Sequence, residues 1–334
     1  MATLLITGGA GFIGSCVDRL FRAHGYETVV IDDLRAGVAR AVSHEKLVIA
    51  DVGDGLVIEE LFRRYAFDGV VHLAASTDVG ESVQVPDLYY RNNVVATLTL
   101  LEAMVRHGVS RFLFSSSAAI FGEAASHPIH EEAPKSPINP YGESKWIAEQ
   151  MAAAFVRAYG LQFCALRYFN AAGADSTETY QQASLLRQHN LMPRLLRNVK
   201  QGVAHCTLFG DDYPTTDGSC IRDYIHVVDL ARAHLLAMEQ LLGQKSPCSK
   251  DYNLGNSVGF SVRQVMATVE KVTGSSLCIE RAERRPGDPP CLVADSSKAE
   301  RELGWKPLFP SLERMVQDQW RVLCSLPKSP PIVD

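Results

Sequence analysis

Two side chains four residues apart, Tyr141 and Lys145, make the clearest chemical suggestion in the sequence. They lie in the stretch Asn139-Pro140-Tyr141-Gly142-Glu143-Ser144-Lys145. Pro140 suits a first helical turn, where its missing N–H costs nothing, and Asn139 before it is a good cap. Trp146, Ile147, Met151 and Phe155 continue at helical spacing. A helix is therefore predicted from Pro140, with Tyr141 and Lys145 on one face. A phenol titrates near pH ~10, and an ammonium beside it favours the anion. Such a pair is a candidate general base at neutral pH. The same spacing also describes an exposed tyrosine beside a surface lysine, so the rest of the chain has to decide.

A second candidate lies at the start of the chain. The apolar run Ala2 to Thr7 ends in Gly8-Gly9-Ala10-Gly11-Phe12-Ile13-Gly14. An amphipathic helix follows, with Ile13, Val17, Leu20 and Phe21 on one side and Asp18, Arg19 and Arg22 on the other. Gly25 ends it, and Thr28 to Ile31 forms a second strand that runs into Asp32. Strand, glycine-rich turn, helix, strand and acid are the parts of a dinucleotide site. The glycines let the backbone approach a pyrophosphate at a helix N-terminus, and the acid binds the adenosine ribose. Asp32 repels a 2′-phosphate and favours NAD over NADP, while the nearby Arg35 works the other way.

The elements that must position these groups alternate along the first half. Strands are expected at Leu47 to Ala50, Gly69 to Leu73, Arg111 to Phe114 and Gln162 to Phe169. Helices are expected at Val57 to Tyr65 and from Pro86 through His107. His72 reads as a packed strand residue. Asn92 and Asn93 sit inside the long helix, where Asn has poor propensity; either an amide faces a ligand or it is bonded locally. Alternation of this kind implies an α/β chain with a Rossmann-type, doubly wound parallel sheet and ligands at the strands' carboxyl ends. The turn Gly8 to Gly14, Asp32, Asp51, Ala74 and Ser117 then fall on one edge of the sheet, within reach of the Tyr141 helix. The second half is less regular, a smaller mixed α/β lobe. It reads as a helix at Met192 to Val199, a strand at His205 to Phe209 and a helix at Val228 to Leu242. A Ser261-capped helix runs to Val272, and a last helix starts at Ser311.

Composition narrows the function. The 334 residues suffice for two packed lobes, and 46% hydrophobic with 21% charged residues is an ordinary globular balance. A formal net charge of -5 with scattered Arg and Lys argues against a nucleic-acid binder. No apolar run approaches the ~20 residues of a membrane span, and the N-terminus enters a strand without a basic leader. Eight Cys without a Cys-x-x-Cys pair read as reduced core thiols, and ten His without ligand spacing predict no metal. Cytoplasmic localisation is the resulting expectation.

The motifs then converge on one family. Thr7 to Ser15, His72-Leu73-Ala74-Ala75, Val79-Gly80-Glu81-Ser82-Val83, Tyr89 to Val94, Phe114 to Ala118 and Pro140-Tyr141-Gly142 resemble the extended short-chain dehydrogenase/reductases. Leu166 to Asn170, Tyr252 to Gly255 and Arg284 to Asp288 match as well, and Ser115-Ser116-Ser117-Ala118, Asn190-Leu191-Met192-Pro193 and Arg222 to Val227 narrow the resemblance to the UDP-glucose 4-epimerases. The resemblance implies a redox-neutral cycle: reversible NAD-dependent oxidation at sugar C4 of UDP-glucose or UDP-galactose, through a 4-keto sugar. It places Ser117 and Tyr141 about the sugar O4, with Lys145 on the nicotinamide ribose, lowering the Tyr pKa. NAD would be lined by Gly8, Gly11, Phe12, Ile13, Gly14, Asp32, Asp33, Leu34, Arg35, Ala36, Gly37, Asp51, Val52, Leu73, Ala74, Ala75, Thr77, Asn92, Ser115 and Phe169. The UDP-sugar would be held by Asn170, Asn190, Leu191, Thr207, Leu208, Phe209, Arg222, Arg285 and Asp288. The implied division is 1–169, with about 222–243 returning to it, for the NAD domain, and 170–221 with 244–334 for the sugar lobe. A homodimer through the helices Asp87 to His107 and Tyr141 to Tyr159 is also implied by the family.

Two positions depart from it. Thr77 stands where many such enzymes carry a Lys near the cofactor phosphates. Leu292 stands at the gate of the sugar pocket, where enzymes restricted to glucose and galactose carry Tyr. UDP-N-acetylhexosamine or UDP-pentose therefore remain alternative substrates. A sugar-nucleotide dehydratase or reductase of the same fold, and a nucleotide-sensing module without turnover, are further alternatives. Ala118-Ala119 after Ser117 counts against the dehydratase, which carries an Asp-Glu pair there. The stretch Asp175 to Arg187 matches no motif, and the tail Pro327 to Asp334 is expected to fray.

Overall fold

The computed structural model describes residues 1–42, 45–124, 126–175, 184–185, 190–285 and 287–326. Six strands of the first half form as expected: β1 (Thr3–Thr7), β2 (Glu27–Asp32), β3 (Leu47–Ile49), β4 (Gly69–His72), β5 (Arg111–Ser117) and β6 (Gln162–Tyr168). A seventh, Cys248–Leu254, pairs with β6 in parallel. The sheet order is Cys248–Leu254, β6, β5, β4, β1, β2, β3, with every pairing parallel. The order reverses between β1 and β4, and that switch point opens a crevice at the strands' carboxyl ends.

Alternate side chains of each strand feed opposite cores, as a pleat requires. Leu4 and Ile6 enter one cluster with Phe12, Val17 and Phe21 of helix α1 (Phe12–Ala23) and Leu230 and Met238 of the Val227–Gly243 helix. Leu5 enters the other, with Ile58, Leu100, Phe112 and Ala148. Both faces are covered, which is why β1 and β4 read as continuous apolar runs. Each fully buried Leu, Ile or Phe contributes ~1.5–3 kcal/mol over its exposed state.

Three differences from expectation have physical reasons. Asp18 is not on an outward face: it is 2% exposed and accepts a hydrogen bond from the Thr28 hydroxyl at 2.6 Å. A polar partner on the neighbouring strand makes its burial affordable. The helix from Pro86 is not uniform: Pro86–Tyr89 is α-helical, Tyr90–Val95 is a wider π-helical turn, and Ala96–Arg106 is α-helical again. Finally, the strand Cys248–Leu254 belongs to the parallel sheet, although 244–334 was assigned to the second lobe. Its sequence, Cys-Ser-Lys-Asp-Tyr-Asn-Leu, is too polar to announce a sheet strand, and it is an edge strand.

The second lobe is built around the strand Ile221–His226, which pairs with Asn170–Ala172, Gly259–Ser261 and Cys291–Leu292. A separate parallel pair joins His205–Phe209 to Cys278–Ala282. Ser261 and Ser311 cap their helices as expected, Ser261 in a reciprocal box with Gln264. Among the described residues no cysteine forms a disulfide; Cys16, Cys164, Cys206 and Cys220 are buried, whereas Cys278 and Cys324 are exposed and not core thiols. Most of the stretch Asp175 to Arg187, and the tail from Pro327, lie outside the described residues.

Candidate active site

The Tyr141 helix runs Pro140–Tyr159, with Pro140 at its first turn and the Asn139 side chain accepting from Gly142 N at 2.9 Å. Gly142 decides how close this helix comes to β5. A Cβ there would stand 2.4 Å from the carbonyl oxygen of Ala119. Only glycine lets the helix start rest on the short turn Ala118–Phe121 that follows Ser117. The phenol of Tyr141 thereby comes close to the Ser117 hydroxyl. Ser117 also accepts from Ala119 N at 3.1 Å. Lys145 is 2% exposed, donates to the carbonyl of Ser115 at 2.9 Å and lies 4.9 Å from the centre of the Phe114 ring.

The electrostatics differ from expectation. Burial pushes the Tyr141 phenol above its ordinary value, and the Ser117 hydrogen bond pulls the other way without prevailing. Burial depresses the Lys145 ammonium to about 7, against the opposing pull of Glu149. The predicted lowering of the Tyr141 pKa by Lys145 is thus not produced by the protein alone. Desolvation outweighs the neighbouring charge when both groups are interior.

The dinucleotide turn sits at the switch point. Gly8 has φ +71, and a Cβ there would lie 2.6 Å from Ala74 N; at Gly14 it would lie 2.1 Å from Gly8 O. These glycines let β1, α1 and the end of β4 meet. Gly11 precedes α1 with no side-chain cap, so the first N–H groups of the helix face outward. This is a cradle for a diphosphate, and the residues fit NAD on that observation. Asp32 accepts from Ala10 N and Leu34 N, both at 2.9 Å, so the acid also holds the turn in shape. Leu34 has φ 61, a conformation rare for a branched side chain, and Gly37 packs against Asp32 and Ala10, where a Cβ would stand 2.6 Å from Asp32 Oδ1. Phe12 and Val52 are buried; Ile13 and Leu73 are half-buried, as are Ala74 and Ala75.

Arg35 is tied to Asp33, to Asp51 at 3.1 Å and to Asn92 Oδ1 at 3.0 Å. The π-helical turn sends the two asparagines to different duties. Asn92 meets Arg35 and the Ser76 hydroxyl, at the sheet edge. Asn93 is buried and bonded across elements, not locally, to Ser76 N, Ser76 O and Ser144 Oγ. Thr77 is exposed and Ala36 lies in the exposed loop after β2. His72 is a packed strand residue, as expected. Its Nε2–H donates to Thr97 Oγ1, whose own hydroxyl is given to Asn93 O, leaving Nδ1 to accept from Thr7. Burial depresses it to about 3, with Lys145 adding to the effect, so it stays neutral.

On the opposite wall, Arg222 is buried, paired with Asp288 and bonded to Ile221 O at 2.8 Å. Burial opposes its charge, and Asp288, Cys220 and Tyr224 together more than offset that. The Arg285 guanidinium stacks over the Phe209 ring at 3.9 Å. Leu292 pairs in register with Arg222. With Phe169 and Trp146 it packs around Ile120, Phe121 and Ile129, beside the turn after Ser117. Thr207 and Phe209 are half-buried, but Leu208 points into the main core, so only its backbone is available to a ligand. Asn190 precedes the Leu191–Lys200 helix without capping it through its side chain, and Asn170 opens the strand beside Tyr224. Sequence reasoning named Gly142 and Arg167 only as parts of motifs, with no role, and passed over Glu149. A charged residue inside the apolar run Leu166-Arg167-Tyr168 was the available signal.

Comparisons with known proteins agree with this geometry. A profile of the NAD dependent epimerase/dehydratase family matches residues 4–255. The UDP-glucose 4-epimerase of Halalkalibacterium halodurans is 46% identical over 317 residues, 95% of this chain and 94% of that protein. The crystal structure of UDP-glucose 4-epimerase from Brucella ovis in complex with NAD superposes with a TM-score of 0.88 at 41% identity, covering 96% and 98% of the two chains. That from Bifidobacterium longum in complex with NAD+ and UDP superposes with a TM-score of 0.91 at 35% identity, covering 97% and 98%.

Proposed function

The chain belongs to the NAD dependent epimerase/dehydratase family, and on that premise we propose that it is a UDP-glucose/UDP-galactose 4-epimerase. The observation that carries the reading is the meeting of Tyr141, Ser117 and Lys145 at the end of β5, on the edge where the glycine turn opens. When bound, NAD supplies a reversible two-electron acceptor for the C4 hydrogen and positive charge beside the phenol. The cradle of Gly8, Gly11 and Gly14, with Asp32 for the ribose, would hold it. Tyr141 takes the proton of the sugar 4-OH, directly or through Ser117, and returns it after the 4-keto sugar has turned over. Lys145 would bind the nicotinamide ribose. Arg222 and Arg285 would grip the diphosphate, since a guanidinium fork matches phosphate oxygens, while Asn170, Asn190 and Asp288 would orient the nucleotide. The sugar itself must stay loosely held for the keto form to rotate.

Leu292 supports a wider substrate range. A branched aliphatic side chain beside Phe169 leaves more room than an aromatic ring, so UDP-N-acetylhexosamines would also enter. The division into an NAD domain and a sugar lobe, a homodimer through the two long helices, and a cytoplasmic location belong to the same proposal. No helix among the described residues is long and apolar enough to cross a membrane.

The test is direct. Purified protein is mixed with UDP-galactose and, separately, UDP-N-acetylgalactosamine without added NAD, and the 4-epimers are assayed. Tyr141→Phe, which keeps the ring packed against Tyr89, is expected to lower turnover by roughly 10²–10⁴ with an unchanged melting temperature. Retained activity would remove the proposed base.

A further inference from the structure

Behind the reacting side of the Pro140–Tyr159 helix lies a buried ion pair that the proposed chemistry leaves unused. Glu149 is 5% exposed and Arg167, on β6, is 3% exposed. Glu149 follows Lys145 by one helical turn and Tyr141 by two, on the same face. The guanidinium grips it with both arms: Nε donates to Oε1 at 3.0 Å and Nη2 to Oε2 at 2.7 Å. The Ser116 hydroxyl donates to the same Oε1. Ser116 stands between Ser115, whose carbonyl accepts from Lys145, and Ser117. One carboxylate therefore ties the Tyr141 helix to the end of β5 and to β6. The remaining arm of Arg167 reaches Glu131 O at 3.2 Å and Asp251 at 2.7 Å, on the last sheet strand.

Stability alone does not call for this arrangement, because an apolar pair of similar volume would serve as well or better. What a bidentate fork adds is geometry: two parallel bonds fix both distance and orientation. We propose that Glu149 and Arg167 are positioning residues of the catalytic centre, holding the Tyr141–Lys145 helix in register against the strand end that carries Ser117. The carboxylate has a second effect, on charge. Facing Lys145 are Glu149 on its own helix, the Ser115 carbonyl on β5 and His72 on β4; Tyr141 lies one helical turn before it, with Tyr168 of β6 near Tyr141. Of these, His72 is held neutral by burial and Tyr168 is pushed further toward its protonated form. Glu149 is the group in this set that sustains the lysine ammonium against burial.

Two substitutions separate shape from charge: Glu149→Gln keeps the length and loses the charge, and Glu149→Asp does the reverse. The kinetic arm rests on the 4-epimerase reading; the spectroscopic arm does not. Lysine is labelled with carbon-13 at Cε and the Lys145 signal, identified by its absence in Lys145→Met, is titrated in the cofactor-free protein. The midpoint is expected to fall by roughly one pH unit in Glu149→Gln and to return toward wild type in Glu149→Asp. With UDP-galactose, kcat is expected to fall about 10-fold or more in both, with KM within roughly twofold. An unmoved midpoint in folded Glu149→Gln, or wild-type kcat in Glu149→Asp, overturns the proposal. If Glu149→Gln does not fold, the double variant with Arg167→Met, which leaves no unpaired buried charge, is read by the same midpoint and the same kcat. If the wild type does not turn over UDP-galactose, the functional reading falls, and the Lys145 midpoint still decides on the pair.

Discussion

Gly14→Ala and Gly11→Ala should fail in different ways, although they sit three residues apart in one turn. A Cβ at Gly14 would lie 2.1 Å from Gly8 O, 2.7 Å from Gly9 Cα and 2.9 Å from Gly8 C, all backbone atoms. Ordinary contact begins near 3.4 Å, so α1 would have to withdraw by about 1.3 Å from β1. Overpacking of this kind costs ~1–3 kcal/mol or somewhat more. At roughly 2–4 °C for each kcal/mol in a domain of this class, the cofactor-free protein should melt several degrees lower. At Gly11 the backbone is extended, which any residue adopts, and the new Cβ would touch only Gly8 O, at 3.2 Å. Its methyl enters the open space over the helix N-terminus, where a diphosphate would lie. Cofactor-free Gly11→Ala should therefore melt within about 1 °C of wild type. Its loss appears on adding NAD. At 100 times its Kd a ligand stabilises by ~2.7 kcal/mol, and tenfold weaker binding removes ~1.4 of that. Thermal melts of both variants, with and without NAD, are the assay. If cofactor-free Gly14→Ala melts like wild type, or Gly11→Ala keeps the full NAD-dependent shift, the packing argument for this turn is wrong.

Two further outcomes follow. Because burial depresses Lys145 to about 7 in the folded protein, the unfolded chain binds more protons between pH 7 and the ordinary lysine value near 10.5. Stability from this group thus rises with pH across that window, and the melting difference between wild type and Lys145→Met should move in favour of wild type from pH 7 to 9; a difference constant with pH would refute the burial assignment. Leu292→Tyr, which narrows the space beside Phe169, should cut turnover of UDP-N-acetylgalactosamine by about 10-fold or more while largely sparing UDP-galactose, as measured by competing the two substrates.

What could be read from residues was what local chemistry controls. Asn139-Pro140 places the start of the Tyr141 helix to the residue, because a cap and a first-turn proline are both local devices. The Ser261 box and the Ser311 cap follow for the same reason. The apolar runs of β1 to β6 were legible because a parallel sheet covered on both faces has no polar alternation. The misses are long-range. Asp18 is buried because Thr28 faces it from the next strand, which no periodicity reveals. The strand Cys248–Leu254 owes its state to β6, some 80 residues earlier. The π-helical turn answers to two asparagines with partners on different elements. In the site, the glycine turn and the Tyr141–Lys145 spacing announce themselves. Gly142 and Glu149 do not, since their importance lies in Ala119 and Arg167, which only folding brings near.

The late arrival of that seventh strand bears on how the protein is made. The edge of β6 (Gln-Phe-Cys-Ala-Leu-Arg-Tyr, buried throughout in the finished molecule) waits for a partner while about 80 further residues are translated. At ~5–20 residues per second that is roughly 4–16 s per chain during which a naked, mostly apolar edge stands open to any passing strand. Slowing elongation between residues 168 and 248 would lengthen this window and raise losses on the ribosome, even though the mature enzyme would carry no trace of the delay.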